Sequence, residues 1–236
     1  MYLCKEVVNM KKTIEIINEL AIERPIFHSE ADFQFALAWM IKNRYADLDI
    51  RLEKPINNND LQCTEAQNFF QRRNRYIDIV LTYKNGKTVP IELKYKTKKL
   101  EYISDNGEYF NLKSHLANDH ARYDFVKDIC RIENYLIMNS NSDYGYAIML
   151  TNDLLLEQRK KKPSNDASFE IYNGRILEQE LKWSDNTSEG TKKTREASIK
   201  LKGKYKLKWF NYPNNSPKLQ DEFRVLIVKI NKKEFV

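Results

Sequence analysis

The sequence predicts an α/β domain: a mixed central β-sheet flanked by helices, with a basic β/loop elaboration following it. Three observations carry that expectation. Helix-period and strand-period segments alternate along the first two thirds of the chain. An Asn-Gly pair joins two apolar strand-like runs. Charge is also split unevenly. Residues 1–157 hold 21 Lys+Arg against 23 Asp+Glu, whereas residues 158–236 hold 19 against 10. All of the +7 net charge therefore resides in the last third. The chain divides into an N-terminal helix (1–25), a core (26–157) and a basic extension (158–236). The extension either completes the same domain or forms a small nucleic-acid-binding subdomain.

The elements follow in order. Residues 6–22 predict a helix with Val7, Ile14, Ile17 and Leu20 or Ala21 as its stripe, ended by Arg24-Pro25. Ser29 reads as an N-cap with Asp32 as a weaker capping-box partner, opening a helix over 30–43 with Phe33, Leu37, Met40 and Ile41 inward. Strands are expected at 47–53, 75–83 and 88–95. Residues 96–118 are polar and read as irregular. A helix over 119–138 places Phe125, Ile129, Ile132 and Leu136 on one face and Asp124, Lys127, Asp128 and Arg131 on the other. Residues 146–151 read as a buried strand. Beyond 157, Arg159-Lys160-Lys161-Lys162-Pro163 reads as a basic loop and 183–198 as a mobile one. Residues 204–209 alternate lysine with Tyr, Leu and Trp, and 223–230 read as a final buried strand.

Composition narrows the function classes. The 42% hydrophobic and 31% charged content is that of a globular protein. There is no long apolar run and no apolar leader, which gives a soluble, cytoplasmic expectation with no membrane partner. Three scattered cysteines (Cys4, Cys63, Cys130) and three histidines argue against a disulfide framework and a cysteine zinc site. His115 and His120 read as surface or loop residues. No Gly-rich phosphate loop and no serine or cysteine nucleophile arrangement is present.

The informative stretch is Asp78 to Lys94. In a strand, residues two apart share a face, so Glu92 and Lys94 point one way while Val89, Ile91, Leu93 and Tyr95 point the other. A charged pair on an apolar strand is costly if buried, so this face is expected to open onto a cleft. The turn decides where Asp78 goes. A two-residue Asn85-Gly86 loop would put Asp78 on the opposite face from Glu92. A three-residue loop, Lys84-Asn85-Gly86 with Gly86 left-handed, pairs Tyr83 with Lys87 and sets Asp78 opposite Glu92. The second register is expected. Opposed carboxylates repel, and a hard divalent cation such as Mg²⁺ (or Mn²⁺) between them relieves the repulsion. The Leu93 carbonyl offers a third ligand. Lys94 could act on an attacking water or on phosphoryl charge. Pro90 is awkward in a central strand, because it cannot donate to a ladder.

Ile77-Asp78, a gap, and Glu92-Leu93-Lys94 resemble the signature of the PD-(D/E)xK nuclease superfamily, over roughly residues 26–152 in the order αβββαβ. Ile77 stands where the family has a proline. The resemblance implies a restriction-endonuclease-like core and a metal-dependent (deoxyribo)nuclease. It implies Asp78 and Glu92 as metal ligands, Lys94 as catalytic, and Glu30, with Gln34 one turn on, as the helix acid facing the site. Glu30 equally suits the first turn of a helix on dipole grounds. Asp128 and Arg131 equally read as a surface i, i+3 pair, with Arg131 or Lys127 as alternative phosphate contacts. Lys160, Lys161, Lys162, Lys204, Lys206 and Lys208 are the candidate DNA-binding residues, with Arg72, Arg73 and Arg75 as further phosphate candidates. A double-strand cut would suit a homodimer. The alternatives are a catalytically inactive nucleic-acid-binding protein on the same fold and an assembly protein in which the motif is coincidence.

Overall fold

The structure, a computed structural model, describes residues 10–56, 76–219 and 222–235. Val7, Arg72, Arg73 and Arg75 lie outside these residues. Helices α1 (Met10–Glu23) and α2 (Glu30–Arg44) lead into strands β1 (Asp49–Pro55), β2 (Tyr76–Thr82) and β3 (Thr88–Lys96). A short hairpin follows, β4 (Leu100–Ile103) with β5 (Tyr109–Leu112), then the long helix α3 (Asn118–Met138) and strand β6 (Tyr144–Thr151). The basic extension holds the two-residue strands β7 (Ile176–Leu177), β8 (Glu180–Leu181), β9 (Ile199–Lys200) and β10 (Tyr205–Lys206), a single-turn helix α4 (Glu189–Lys192), and strands β11 (Trp209–Asn211) and β12 (Arg224–Asn231). The central sheet runs β1-β2-β3-β6-β12-β11. Only β3 and β6 are parallel, so the sheet is mixed. The extension thus contributes two of its six strands.

Two apolar layers sandwich this sheet. On one face α1, α2 and the β4–β5 hairpin cover Ile79, Leu81, Val89, Ile91, Leu93 and Tyr95. On the other, α3 and the extension cover Val80, Ala147, Met149, Leu226 and Val228. The α2 start is built as its sequence dictates. The Ser29 hydroxyl accepts from the Asp32 N–H at 3.1 Å, while the Asp32 carboxylate reaches back to the His28 N–H at 2.9 Å, one residue before the cap. Phe33, Leu37, Met40 and Ile41 are buried.

The β2–β3 turn adopts the three-residue loop. Tyr83 N–H donates to Lys87 O and Gly86 N–H to Tyr83 O, with Gly86 at φ 79°. The register then runs Thr82↔Thr88 to Ile79↔Ile91. Pro90 opposes Val80. By the alternation of the ladder its nitrogen faces β6, and the β3–β6 pairing begins only at Ile91. No donor is lost. Gly145 closes the same spot: a Cβ there would lie 2.7 Å from the Pro90 carbonyl oxygen and 2.7 Å from Ile132 Cγ2.

Several expectations are corrected. Residues 96–118 contain the β4–β5 hairpin, whose Asp105-Asn106-Gly107 loop repeats the first turn: Ser104 N–H donates to Glu108 O and Gly107 N–H to Ser104 O. Residues 183–198 are pinned to α3. Trp183 is buried, and Arg195 makes a two-point ion pair with Asp124 (2.8 and 2.6 Å). His120 sits on α3 and its Nε2 meets Thr191 O. The polar side of α3 is not a solvent face, because the extension and the sheet cover it. Asp128, Arg131 and Glu133 are all buried. Glu133 accepts from the Lys202 and Gly203 amides and from the Tyr205 hydroxyl, which holds the extension to the helix. No described helix is long and apolar enough to cross a membrane.

Gly145→Ala should destabilise the fold by about 1–3 kcal/mol, because the backbone of Pro90 cannot yield to the new methyl. Urea denaturation monitored by far-UV circular dichroism measures this. A loss below about 0.5 kcal/mol would show that β3 and β6 are not packed this closely.

Candidate active site

The β2–β3 ladder ends at Ile79–Ile91. Beyond it the strands part, and the N–H groups of Leu93 and Tyr95, which a continuing β2 would have bonded, need other acceptors. Two carboxylates supply them. Asp78 Oδ2 accepts from Leu93 N–H at 2.6 Å, and Glu30 Oε2, at the start of α2, accepts from Tyr95 N–H at 2.8 Å. Gln34, one turn further along α2, donates to the Asp78 carbonyl oxygen (2.6 Å) and to Glu53 (2.9 Å). Glu53 itself has φ 48°, a left-handed backbone uncommon outside glycine.

Asp78 and Glu92 are near enough to repel each other, and Glu92 lies on the α3 side of the sheet. Glu92 is fully buried there. Its Oε2 takes a 2.6 Å hydrogen bond from Arg131, and its buried Oε1 has no hydrogen-bond partner among the described residues. Arg131 also lies 3.3 Å from Asp128, which pairs with Lys94 at 3.0 Å. Lys94 Nζ donates to the Leu93 carbonyl oxygen at 3.1 Å. The Glu92–Lys94 face is therefore roofed by α3 rather than open along its length. It opens at the Lys94 end, where Glu30, Lys94, Lys96, His115, His120 and Arg195 line a cleft of about 280 Å³.

The electrostatics follow from burial. Burial pushes Asp78 up to about 6, against the pull of Lys94 and the Leu93 amide, with Asp128 and Glu30 adding repulsion. Glu92 lies well above the usual carboxylate range, because complete burial and the nearby Asp78 and Asp128 outweigh Arg131. Lys94 is raised despite its burial by Asp128, Glu30, Asp78 and Glu92. Three buried or half-buried carboxylates, Asp78, Glu92 and Asp128, thus face two cations, leaving a formal charge of −1 if all ionise, and Glu30 adds a fourth, exposed carboxylate at the edge. Low-dielectric surroundings tolerate such an excess only with bound protons or an added cation.

A hard divalent ion fits this donor set in charge and in chemistry. The donors are oxygens, and Glu92 keeps one oxygen, Oε1, without a hydrogen-bond partner among the described residues. Among the described residues, however, no three His, Cys, Asp or Glu side chains already converge as a ligand cage. Arg131 and Lys94 hold the groups an ion would use, Lys94 occupying the Leu93 carbonyl expected as a ligand.

The structure thus brings Glu30, Asp78, Glu92 and Lys94 together. Lys160 and Lys161 line a separate cleft by the start of α3, and Lys162 is exposed beside it. Lys204, Lys206 and Lys208 form an exposed lysine face, with Lys204 paired to Glu178 and Lys208 over Phe210, and none lines the Lys94 cleft. Sequence reasoning did not bring Glu53, Lys96 or Arg195 to the site. Lys96 carried a signal, since it shares the Lys94 face at i+2. Asp128 and Arg131, for which a surface pair is one expectation, are buried in the site. Comparison with family models and with curated proteins finds no match for this chain.

Two outcomes follow. Asp78 binds a proton more tightly folded (about 6) than unfolded (ordinary value 3.8), so stability should fall as pH rises from about 4 to 6. The loss should be about 1–3 kcal/mol and absent in Asp78→Asn. Thermal melts of both proteins across that range test this, and parallel curves would contradict it. Arg131→Ala should cost about 3–5 kcal/mol by stranding Glu92, and the added change Glu92→Gln should recover part of it. A double-mutant cycle reads this out, and strict additivity would deny the coupling.

Proposed function

We propose that this chain is a metal-dependent nuclease that hydrolyses phosphodiester bonds in DNA, on a restriction-endonuclease-like core. The observation that carries the reading is the buried excess of carboxylate around Asp78 and Glu92 next to a lysine at the mouth of a cleft. The Ile77-Asp78…Glu92-Leu93-Lys94 resemblance points the same way, and the basic extension supports a polyanionic substrate.

In this reading Asp78 and Glu92 hold Mg²⁺, or Mn²⁺ in its place, and Glu30 contributes from the helix side. The bound ion would neutralise charge on the scissile phosphate and acidify a water. The chain's own residues do the rest. The Leu93 amide orients Asp78 and the Tyr95 amide orients Glu30, each through one oxygen, which fixes both carboxylates before substrate arrives. Arg131 orients Glu92. With its pKa raised by four acids, Lys94 stays protonated at neutral pH. That makes it a donor to phosphoryl oxygen rather than a base for water.

A second reading has a specific observation behind it. Arg131 on Glu92 and Lys94 on the Leu93 carbonyl are internal cations standing where an ion would bind. A chain that kept them there permanently would bind nucleic acid without cutting it.

Incubation with supercoiled plasmid in Mg²⁺ or Mn²⁺ separates the two. Nicked or linear product should form with the wild type and fall by about 10²-fold or more in Asp78→Ala and Lys94→Ala. No product, together with no Mn²⁺ heat by calorimetry, would end the nuclease reading.

A further inference from the structure

A larger cleft than the one at Lys94 lies beside the first turn of α3, with a volume of about 610 Å³, within the usual range for small-molecule sites. Asn118, Arg122, Leu155, Arg159, Lys160 and Lys161 contribute to its wall. Two features bear on what it would hold. The first is Arg122. It is 2% exposed, with Nη1 on Asp166 at 2.8 Å and Nη2 on the Leu155 carbonyl, and among the described residues its Nε has no hydrogen-bond partner. It sets a fixed positive charge in the cleft wall. The second is the start of α3, a 21-residue helix whose N-cap, Ala117, offers no side-chain cap, although Asp119 Oδ1 already accepts from the His120 N–H at 2.8 Å. The positive end of the helix dipole lies here, partly offset by Asp119.

Charge agrees. Arg122, Arg159, Lys160 and Lys161 face Asp119 and Asp166, and Asp166 is already consumed by Arg122, Lys160 and Ser164, which hold it at about 2. The surplus is therefore positive at every ordinary pH. The wall is not only charged. Leu155 is 52% exposed, an apolar surface at which a base or sugar can lie. Along the chain, Leu116 and Ala117 line the Lys94 cleft while Asn118 and Asp119 line this one, so the two clefts meet across a single helix turn.

We infer that this second cleft seats one nucleotide of the substrate strand, with the phosphate toward Arg122, Arg159 and Lys161 and the base or sugar against Leu155. The inference rests on the nuclease reading for the identity of the strand. The chemistry recognised is a nucleoside phosphate, and it could come from a polynucleotide or from a free mononucleotide.

The test measures binding without cleavage. A fluorescein-labelled oligodeoxynucleotide is titrated with the full chain in EDTA at several salt concentrations, followed by fluorescence anisotropy. Arg159→Glu and Lys161→Glu should each weaken binding by about tenfold and lower the slope of log K against log salt by about 1 to 2. Lys11→Glu, on α1 in the opposite layer, should change neither. Equal effects from all three variants, none from any, or no binding by the wild type would overturn the inference. So would displacement of the probe by micromolar dAMP, which would make the cleft a mononucleotide site. If the wild type binds through this cleft but cuts nothing, the nuclease reading fails and the cleft assignment stands. If it cuts and the two cleft variants bind as wild type does, only the cleft assignment fails.

Discussion

An antiparallel pair that parts midway must find partners for the amides it leaves behind, and the candidate site is organised around that requirement. Past Ile79–Ile91 the strands β2 and β3 separate, and the Leu93 and Tyr95 N–H groups would be stranded in a mostly apolar interior. Carboxylates from two different elements fill the gap, Asp78 from β2 and Glu30 from α2. A hydroxyl or an amide side chain could satisfy the same amides. Carboxylates bring charge, and the charge determines everything built above them. Lys94 and Arg131 assemble over the parting, with Asp128 bridging them, because uncompensated acids could not remain there.

The roof on this site is a consequence of α3. A helix with Phe125, Val126, Ile129, Ile132 and Leu136 all fully buried is committed to the sheet by about 1.5–3 kcal/mol per side chain. Its other side would carry Asp124, Asp128, Arg131 and Glu133 into water if the extension were absent. The extension answers two of them: Arg195 meets Asp124, and the Lys202 and Gly203 amides meet Glu133. Asp128 and Arg131, nearest the sheet, are answered by Lys94 and Glu92. One helix therefore ties the basic third of the chain to the acidic cluster.

Much of this was legible in local sequence. The Lys84-Asn85-Gly86 register followed from turn chemistry, because only a left-handed Gly86 closes that loop. The Ser29 cap and the inward face of α2 followed from spacing. The β4–β5 hairpin uses the same Asn-Gly signal, but Glu101 and Asn111 give its strands a polar look while Tyr102, Phe110 and Leu112 are buried. The burial of Asp128 and Arg131 was not readable from α3 alone. A polar helix face looks the same whether water or a distant segment covers it, and the Arg131 partner Glu92 lies 39 positions away on another element. Glu53 gave no signal at all.

Strand β12 has a consequence for how the molecule is made. It sits between β6 and β11, eight residues in register with β6 across separations of about 73 to 87 positions. Every residue of the candidate site, from Glu30 to Arg131, precedes it in the chain. Until β12 docks, β6 presents a bare hydrogen-bonding edge with Ala147, Ile148, Met149 and Leu150 behind it. Such long-range pairing is slow to form. A chain in which β12 has not docked therefore carries all of these site residues together with an open β6 edge, and any foreign strand that reaches that edge competes with β12 for it.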